Sequence, residues 1–191
     1  PGGKLTSFNL GPYRFDAGPS LLTMPHFIDE LFVLFDENPR DYFNYKKKEI
    51  SCKYFWDDGV KLNAYSEKSK FINEINKTLG VNKSIVSAYL LKAKRKYDLT
   101  KTMFLEQSLH KLKTYFSKDL LIGIFNVFSF QINKTLNQVN VTELKEPHLV
   151  QLFNRFATYN GSSPYKTPGM MTLVQHLEQE YGTYVSDKGM N

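Results

Sequence analysis

The sequence predicts an α+β protein, a mostly helical body with a small antiparallel sheet, preceded by a short strand-rich segment. Three observations carry that expectation. Two brief apolar stretches near the start flank a Gly11-Pro12 turn dipeptide. Residues 42–64 alternate apolar and polar side chains and contain an Asp57-Asp58-Gly59 turn. From residue 67 onward, apolar residues recur at helical spacing instead.

Taken in order, residues 5–9 and 13–16 read as two strands around the turn, and Gly18-Pro19 ends the second. Residues 26–35 read as a helix, with Phe27, Leu31 and Leu34 on one face, Asp29 and Glu30 facing away and Pro25 at its start. Asn38-Pro39 is expected to stop it. The alternating run from Tyr42 to Ala64 predicts a small sheet built on one tight hairpin. Phe71, Ile75 and Leu79 share a helical face until Gly80. Ser84 is placed to cap a further helix, on which Ile85, Tyr89, Ala93 and Tyr97 form a stripe with Lys92 and Lys96 roughly opposite. Pro147 opens a helix to about residue 159, and Pro168 opens another that Gly182 ends, with Met171, Val174, Leu177 or Leu173, His176 turned inward. Residues 183–185 read as a short strand.

Composition narrows the function classes. Apolar residues make up 41% and charged residues 23%, as in an ordinary globular protein, but aromatics reach 15%. That aromatic share fits a dense core or the walls of an elongated apolar cavity. The net charge of +6 comes with no helix-turn-helix, zinc-finger or RNA-motif pattern, which argues against nucleic acid as a partner. The basic cluster Lys92-Ala93-Lys94-Arg95-Lys96 is either a solvated helix face or a contact with anionic lipid. The apolar run 120–130 is shorter than the about 20 residues a bilayer span needs, leaving buried core or a monotopic membrane contact. Cys52 is the single cysteine, which excludes an intrachain disulfide and suits a reducing compartment.

Most chemistries lack their signatures. His26, His110, His148 and His176 are too scattered to form a zinc site, and no metal is expected. There is no Gly-x-Ser-x-Gly elbow, no phosphate-binding Walker loop and no evident base for Cys52. Two constellations remain. Gly2-Gly3-Lys4 and Gly18-Pro19-Ser20 bracket the first hairpin, and side-chain-free backbone there suits a loop pressed against a planar or phosphate-bearing ligand. The plainer alternative is a terminus and a turn. In Arg155-Phe156-Ala157-Thr158-Tyr159-Asn160-Gly161, Arg155 and Tyr159 fall four apart at a helix end that Gly161 could close. The alternative there is a C-cap with arginine stacked on tyrosine.

Three blocks, in order, resemble bacterial-type carotenoid desaturases, the phytoene desaturase family of the FAD-dependent amine oxidase superfamily. They are Pro1-Gly2-Gly3-Lys4-Leu5-Thr6-Ser7-Phe8 with Phe15-Asp16-Ala17-Gly18-Pro19-Ser20, then the run from Phe153 to Tyr165, then the run from Gly182 to Met190. The resemblance implies an internal fragment that lacks the N-terminal dinucleotide-binding turn. Residues 1–25 would be the remnant of an FAD-binding α/β domain and residues 26–191 the substrate domain, with its sheet at about 42–64 and helices at about 67–180. It further implies FAD held along Gly2, Gly3, Lys4, Gly18, Pro19 and Ser20, and a lipophilic carotenoid bordered by Thr158, Tyr159 and Asn160. The enzyme it implies is cytoplasmic and peripherally associated with the membrane surface, and the fragment alone is expected to be inactive. No carboxylate lies within residues 155–164, so no base is nominated; Tyr159 and Arg155 are the candidate catalytic groups, through charge stabilisation. The closing Asp187-Lys188-Gly189-Met190 carries one glycine where many phytoene desaturases carry two, closer to the branch acting on hydroxylated or already conjugated carotenoids. The alternatives are another flavin amine oxidase-type oxidoreductase, or a basic helical module that binds membranes or a partner.

Overall fold

The computed structural model describes residues 3–18, 21–101 and 130–189. The architecture is α+β: helices predominate, accompanied by two-stranded antiparallel sheets. The described residues group into two compact units.

The first unit comprises residues 1–53, 63–68 and 177–191. Strands β1 (Thr6–Leu10) and β2 (Tyr13–Ala17) form the expected hairpin, in register from Thr6 opposite Ala17 to Leu10 opposite Tyr13. Helix α1 (His26–Val33) follows, but none of its residues is buried, so the stripe of Phe27 and Leu31 has no core beneath it here. Asn38-Pro39 does more than stop that helix. The Asn38 side chain accepts from the Arg40 N–H, and a short helix α2 (Pro39–Tyr42) begins with proline in its first turn, where no intrahelical N–H is lost.

The expected single sheet over 42–64 resolves into two. Strand β3 (Tyr45–Lys47) pairs antiparallel with β6 (Tyr184–Ser186), which lies far along the chain. Strands β4 (Ile50–Phe55) and β5 (Lys61–Tyr65) form the hairpin. Local alternation predicts strands and is silent about distant partners. Leu22 adds an antiparallel bridge to Tyr184, with backbone hydrogen bonds of 2.9 and 2.8 Å. Buried Ser66 donates to the Lys48 carbonyl at 2.6 Å and lies 3.0 Å from the Ser51 hydroxyl, to which Thr183 donates at 3.0 Å.

The second unit comprises residues 54–62 and 69–176. Helices α3 (Lys68–Leu79) and α4 (Lys83–Lys101) match the expected pair. The start of α4 is capped by Asn82, not Ser84: its side chain accepts from the Ser84 N–H at 2.9 Å and from the Ser84 hydroxyl at 2.8 Å. Tyr89, Ala93 and Tyr97 are buried as the stripe requires, while Ile85 is exposed. Lys96 departs from the expected solvated face and is 5% exposed. The apolar run 120–130 lies outside the described residues except for Phe130, which is buried.

Helices α5 (Leu136–Leu144) and α6 (Pro147–Asn154) supply Leu136, Val139, Leu149, Leu152 and Phe153 to the core. Phe153 is its aromatic hub, with Tyr89 edge-on at 4.7 Å and Phe156 and Phe71 at 6.0 and 6.3 Å. Such a ring contributes about 3 kcal/mol through burial alone. A polar chain ties three helices together beside it: Tyr89 donates to Asn140, Asn140 to Asn154, and Asn154 to Asn137, at 2.6, 2.9 and 2.8 Å. After Asn154 the chain tightens into a 3₁₀ helix, Arg155–Asn160, closed by Gly161 in left-handed geometry. A second 3₁₀ helix, Gly169–Leu173, leads into α7 (Val174–Tyr181). Buried positions there include Thr172, Gln175, His176 and Glu178 as well as Val174, a more polar inward face than expected.

Candidate functional site

Within the first unit, the opening and closing glycine motifs meet. Gly18 has φ +117°, and a Cβ on it would collide with the Lys4 carbonyl. The missing side chain therefore lets the backbone after Gly3 cross directly against the end of β2. Gly3 itself has φ +53° with open space where a Cβ would stand, and Lys4 is exposed. Gly2, Pro19 and Ser20 lie outside the described residues.

The closing segment joins this crossing through the polar face of β2. Arg14 donates to the Lys188 carbonyl and pairs with Asp16 at 3.3 Å. Gly189, at φ +87°, lies so close that a Cβ would sit 2.7 Å from both the Arg14 guanidinium and the Asp16 carboxylate. Strand β6 is anchored on either side by Leu22 and β3, which fixes where residues 187–189 emerge. Arg14 was not among the expected site residues. Its signal was available: Arg14 and Asp16 are two apart on one strand, so they share a face.

Within the second unit, the block at 155–161 also has defined partners. The Arg155 Nε donates to the Tyr54 hydroxyl at 2.7 Å, and its guanidinium lies 4.5 Å from the Phe156 ring centre. In a 3₁₀ helix residues three apart eclipse, and Thr158 accordingly donates its hydroxyl to the Arg155 carbonyl at 2.7 Å. Tyr159 stacks on Phe156 at 6.1 Å, and Thr158, Tyr159 and Asn160 are all exposed.

The Arg155 contact continues along the tip of the β4–β5 hairpin. Tyr54 stacks on Trp56 at 5.5 Å, and the Trp56 indole donates to Gln151 at 2.7 Å. His148 meets the edge of Trp56 at 4.8 Å. Its two ring nitrogens reach Glu146 and Asp58, each at 2.8 Å. The hydrogen bond to Glu146, followed by that to Asp58, raises the imidazole pKa above its ordinary value despite some desolvation. Asp58 is held below the usual carboxylate range, first by the Val60 N–H and then by His148. This tip joins aromatic surface to an imidazole and a guanidinium.

Lys96 forms a separate buried polar centre. Its ammonium donates to Gln131, Thr172 and the Gly169 carbonyl at 2.7, 2.8 and 3.3 Å. Burial pushes its pKa down to about 8, against the attraction of Glu143 and with the repulsion of Lys92. Among the described residues, no group of three or more His, Cys, Asp or Glu side chains could hold a metal ion. No helix among them is long and apolar enough to cross a membrane.

The glycine crossing at one unit and the aromatic, Arg155-bearing block at the other belong to a chain whose homologues are carotenoid desaturases and oxygenases. The 1-hydroxycarotenoid 3,4-desaturase of Flavobacterium sp. (strain P99-3) is 48% identical over 190 residues, the whole of this chain. The 4,4'-diapolycopene oxygenase of Methylomonas sp. is 29% identical over 198 residues, and the carotenoid 3,4-desaturase of Haloarcula japonica 22% over 189. The chain spans 38% of the length of each. No protein-family model matches it.

Proposed function

We propose that this chain is part of an FAD-dependent carotenoid desaturase that introduces a double bond into a hydroxylated polyene. The observation that carries the proposal is the 48% identity, along the whole chain, to a 1-hydroxycarotenoid 3,4-desaturase. The more distant similarity to the oxygenase at 29% makes oxygen insertion the weaker alternative.

The described residues fit a dinucleotide in one respect. Gly3 leaves open backbone beside an exposed Lys4, a surface that an extended phosphate-bearing group can approach. Gly2, Gly3 and Lys4, with Gly18, Pro19 and Ser20, are the residues assigned to hold it. FAD, when bound, supplies the hydride acceptor that the side chains lack. The protein's part is to align the polyene and keep water away. Thr158, Tyr159 and Asn160 are assigned to the substrate border. Tyr159 and Arg155 are the candidate catalytic groups, through charge stabilisation; Arg155 is held by the Tyr54 hydroxyl and the Phe156 ring. A carotenoid dissolved in lipid calls for peripheral membrane association of the complete enzyme. The 191 residues alone are expected to be inactive.

The test is product analysis on the complete polypeptide supplied with a 1-hydroxycarotenoid. A product two hydrogens lighter supports desaturation. An oxygenated product favours the second assignment, and absence of bound flavin from the purified complete protein overturns the cofactor.

A further inference from the structure

The tip of the β4–β5 hairpin runs along α6 in three matched contacts. Arg155 Nε donates to the Tyr54 hydroxyl at 2.7 Å, the Trp56 indole donates to Gln151 at 2.7 Å, and His148 Nε2 lies 2.8 Å from the Asp58 carboxylate. The spacings suit both elements. Steps of two keep side chains on one face of extended chain, and positions 148, 151 and 155 share one face of a helix. Tyr54 and Trp56 accordingly stack at 5.5 Å, and the imidazole meets the Trp56 edge at 4.8 Å.

The contact at the turn differs from the other two, because it needs a proton that comes and goes. A neutral imidazole has one N–H and one lone pair. His148 nevertheless places both ring nitrogens 2.8 Å from carboxylates, Nδ1 on Glu146 and Nε2 on Asp58. Both carboxylates already act as acceptors: Glu146 takes the His148 and Leu149 N–H groups, and Asp58 takes the Val60 N–H. Among the described residues these two are the charged groups that face the ring, Glu146 from the start of α6 and Asp58 from the hairpin turn. Two acceptors call for two donors, and the imidazolium supplies both. Glu146 caps the helix that carries His148, so Nδ1 keeps its proton when the ring is neutral, and Nε2 then turns a lone pair on Asp58.

We propose that His148 is a protonation-dependent clamp on the hairpin, a positioning residue that holds Tyr54 against Arg155 when charged and releases the tip when neutral. The hydrogen bond to Glu146, then that to Asp58, raises the imidazole pKa despite some desolvation, so the clamp is closed on the acid side and opens as pH rises through the raised value. The three contacts share one short hairpin, so loss of the one at the turn loosens the two behind it. Arg155 is a candidate catalytic group in the reading above, which gives the clamp its consequence. The clamp itself stands on the geometry of the second unit and is tested without activity, so the two readings fail separately.

The test uses the complete polypeptide at about pH 6 and about pH 9. Hydrogen exchange across residues 54–62, divided by the intrinsic chemical rate at each pH, reads the hairpin. Phenylglyoxal modification of Arg155, mapped by mass spectrometry and divided by the rate for free arginine, reads the guanidinium. Both should accelerate about threefold at the higher pH, the size expected of a part-exposed charge pair. His148→Gln, which does not titrate, should show neither change. A flat response of either rate in the unsubstituted protein, or the same acceleration in His148→Gln, overturns the proposal. Asp58→Ser keeps an acceptor for the Val60 N–H but removes the carboxylate, and it decides the matter should His148→Gln fail to fold. Loss of the pH response in that variant supports the clamp, and its persistence overturns it.

Discussion

Two residues turn the chemistry of burial and pairing into measurable pH dependence. His148 bridges Glu146 and Asp58, which raise its folded pKa above the ordinary 6.5. A raised folded pKa means that stabilisation is complete below 6.5 and is lost as pH rises through the folded value. The single tryptophan, Trp56, lies 4.8 Å from the imidazole and reports its charge. Its fluorescence should titrate with a midpoint above 6.5, and His148→Gln should abolish that transition. Lys96 has the opposite shift. Its folded pKa of about 8 lies below the free value of 10.5, so between those limits the unfolded chain binds more protons. Stability therefore gains on the order of 3 kcal/mol from this group as pH rises from 8 to 10.5. Lys96→Met should flatten that part of the stability curve in urea titrations. At pH 7 it should still destabilise, because the acceptors on Gln131, Thr172 and Gly169 lose their donor. Neither effect was legible in sequence: helical spacing placed Lys96 opposite the apolar stripe, and only the packing of Gln131 and the 169–173 turn encloses it.

At the level of elements, punctuation was easier to read than partnership. Gly11-Pro12, Pro147 and Gly182 marked real boundaries because each changes what the local backbone can do. The tightening of residues 155–160 into a 3₁₀ helix was not visible; within it the Thr158 hydroxyl donates to the Arg155 carbonyl. The pairing of β3 with β6 was equally hidden, since it depends on where Leu22 and the end of α7 deliver the closing strand. One local signal was present but lies outside hydrophobic periodicity. Thr135 and Gln138 form a capping box: the Gln138 N–H donates to the Thr135 hydroxyl at 3.2 Å, and the Thr135 N–H to the Gln138 side chain at 2.8 Å. Thr135→Ala should lower stability by about 1 kcal/mol, read from the urea midpoint. Thr135→Ser should recover most of that loss, because it restores the acceptor.

Across the molecule, chain-distant glycine motifs acquire meaning by meeting. The opening and closing motifs are separated by nearly the whole sequence, yet Lys4 crosses Gly18 while Arg14 donates to the Lys188 carbonyl and Gly189 lies close against Arg14 and Asp16. The sequence singled out the opening glycines, and the family resemblance the closing one, but neither pointed to the arginine beside them. Nor did either show that Gly18 makes room for backbone of its own chain. This makes Arg14 the natural place to separate a folding role from a cofactor role. Arg14→Ala removes the donor to the Lys188 carbonyl and its ion pair with Asp16, so residues 187–189 should exchange amide hydrogens faster. If the complete polypeptide carries the proposed flavin, a purely structural latch would change only that exchange and the melting temperature. If the closing segment also borders the flavin, Arg14→Ala should shift the flavin absorption band and lower the flavin retained per polypeptide. Arg14→Lys, which keeps the charge and one donor, should restore part of both. An unchanged flavin spectrum alongside faster exchange at 187–189 would confine Arg14 to the fold and remove the closing motif from the cofactor's surroundings.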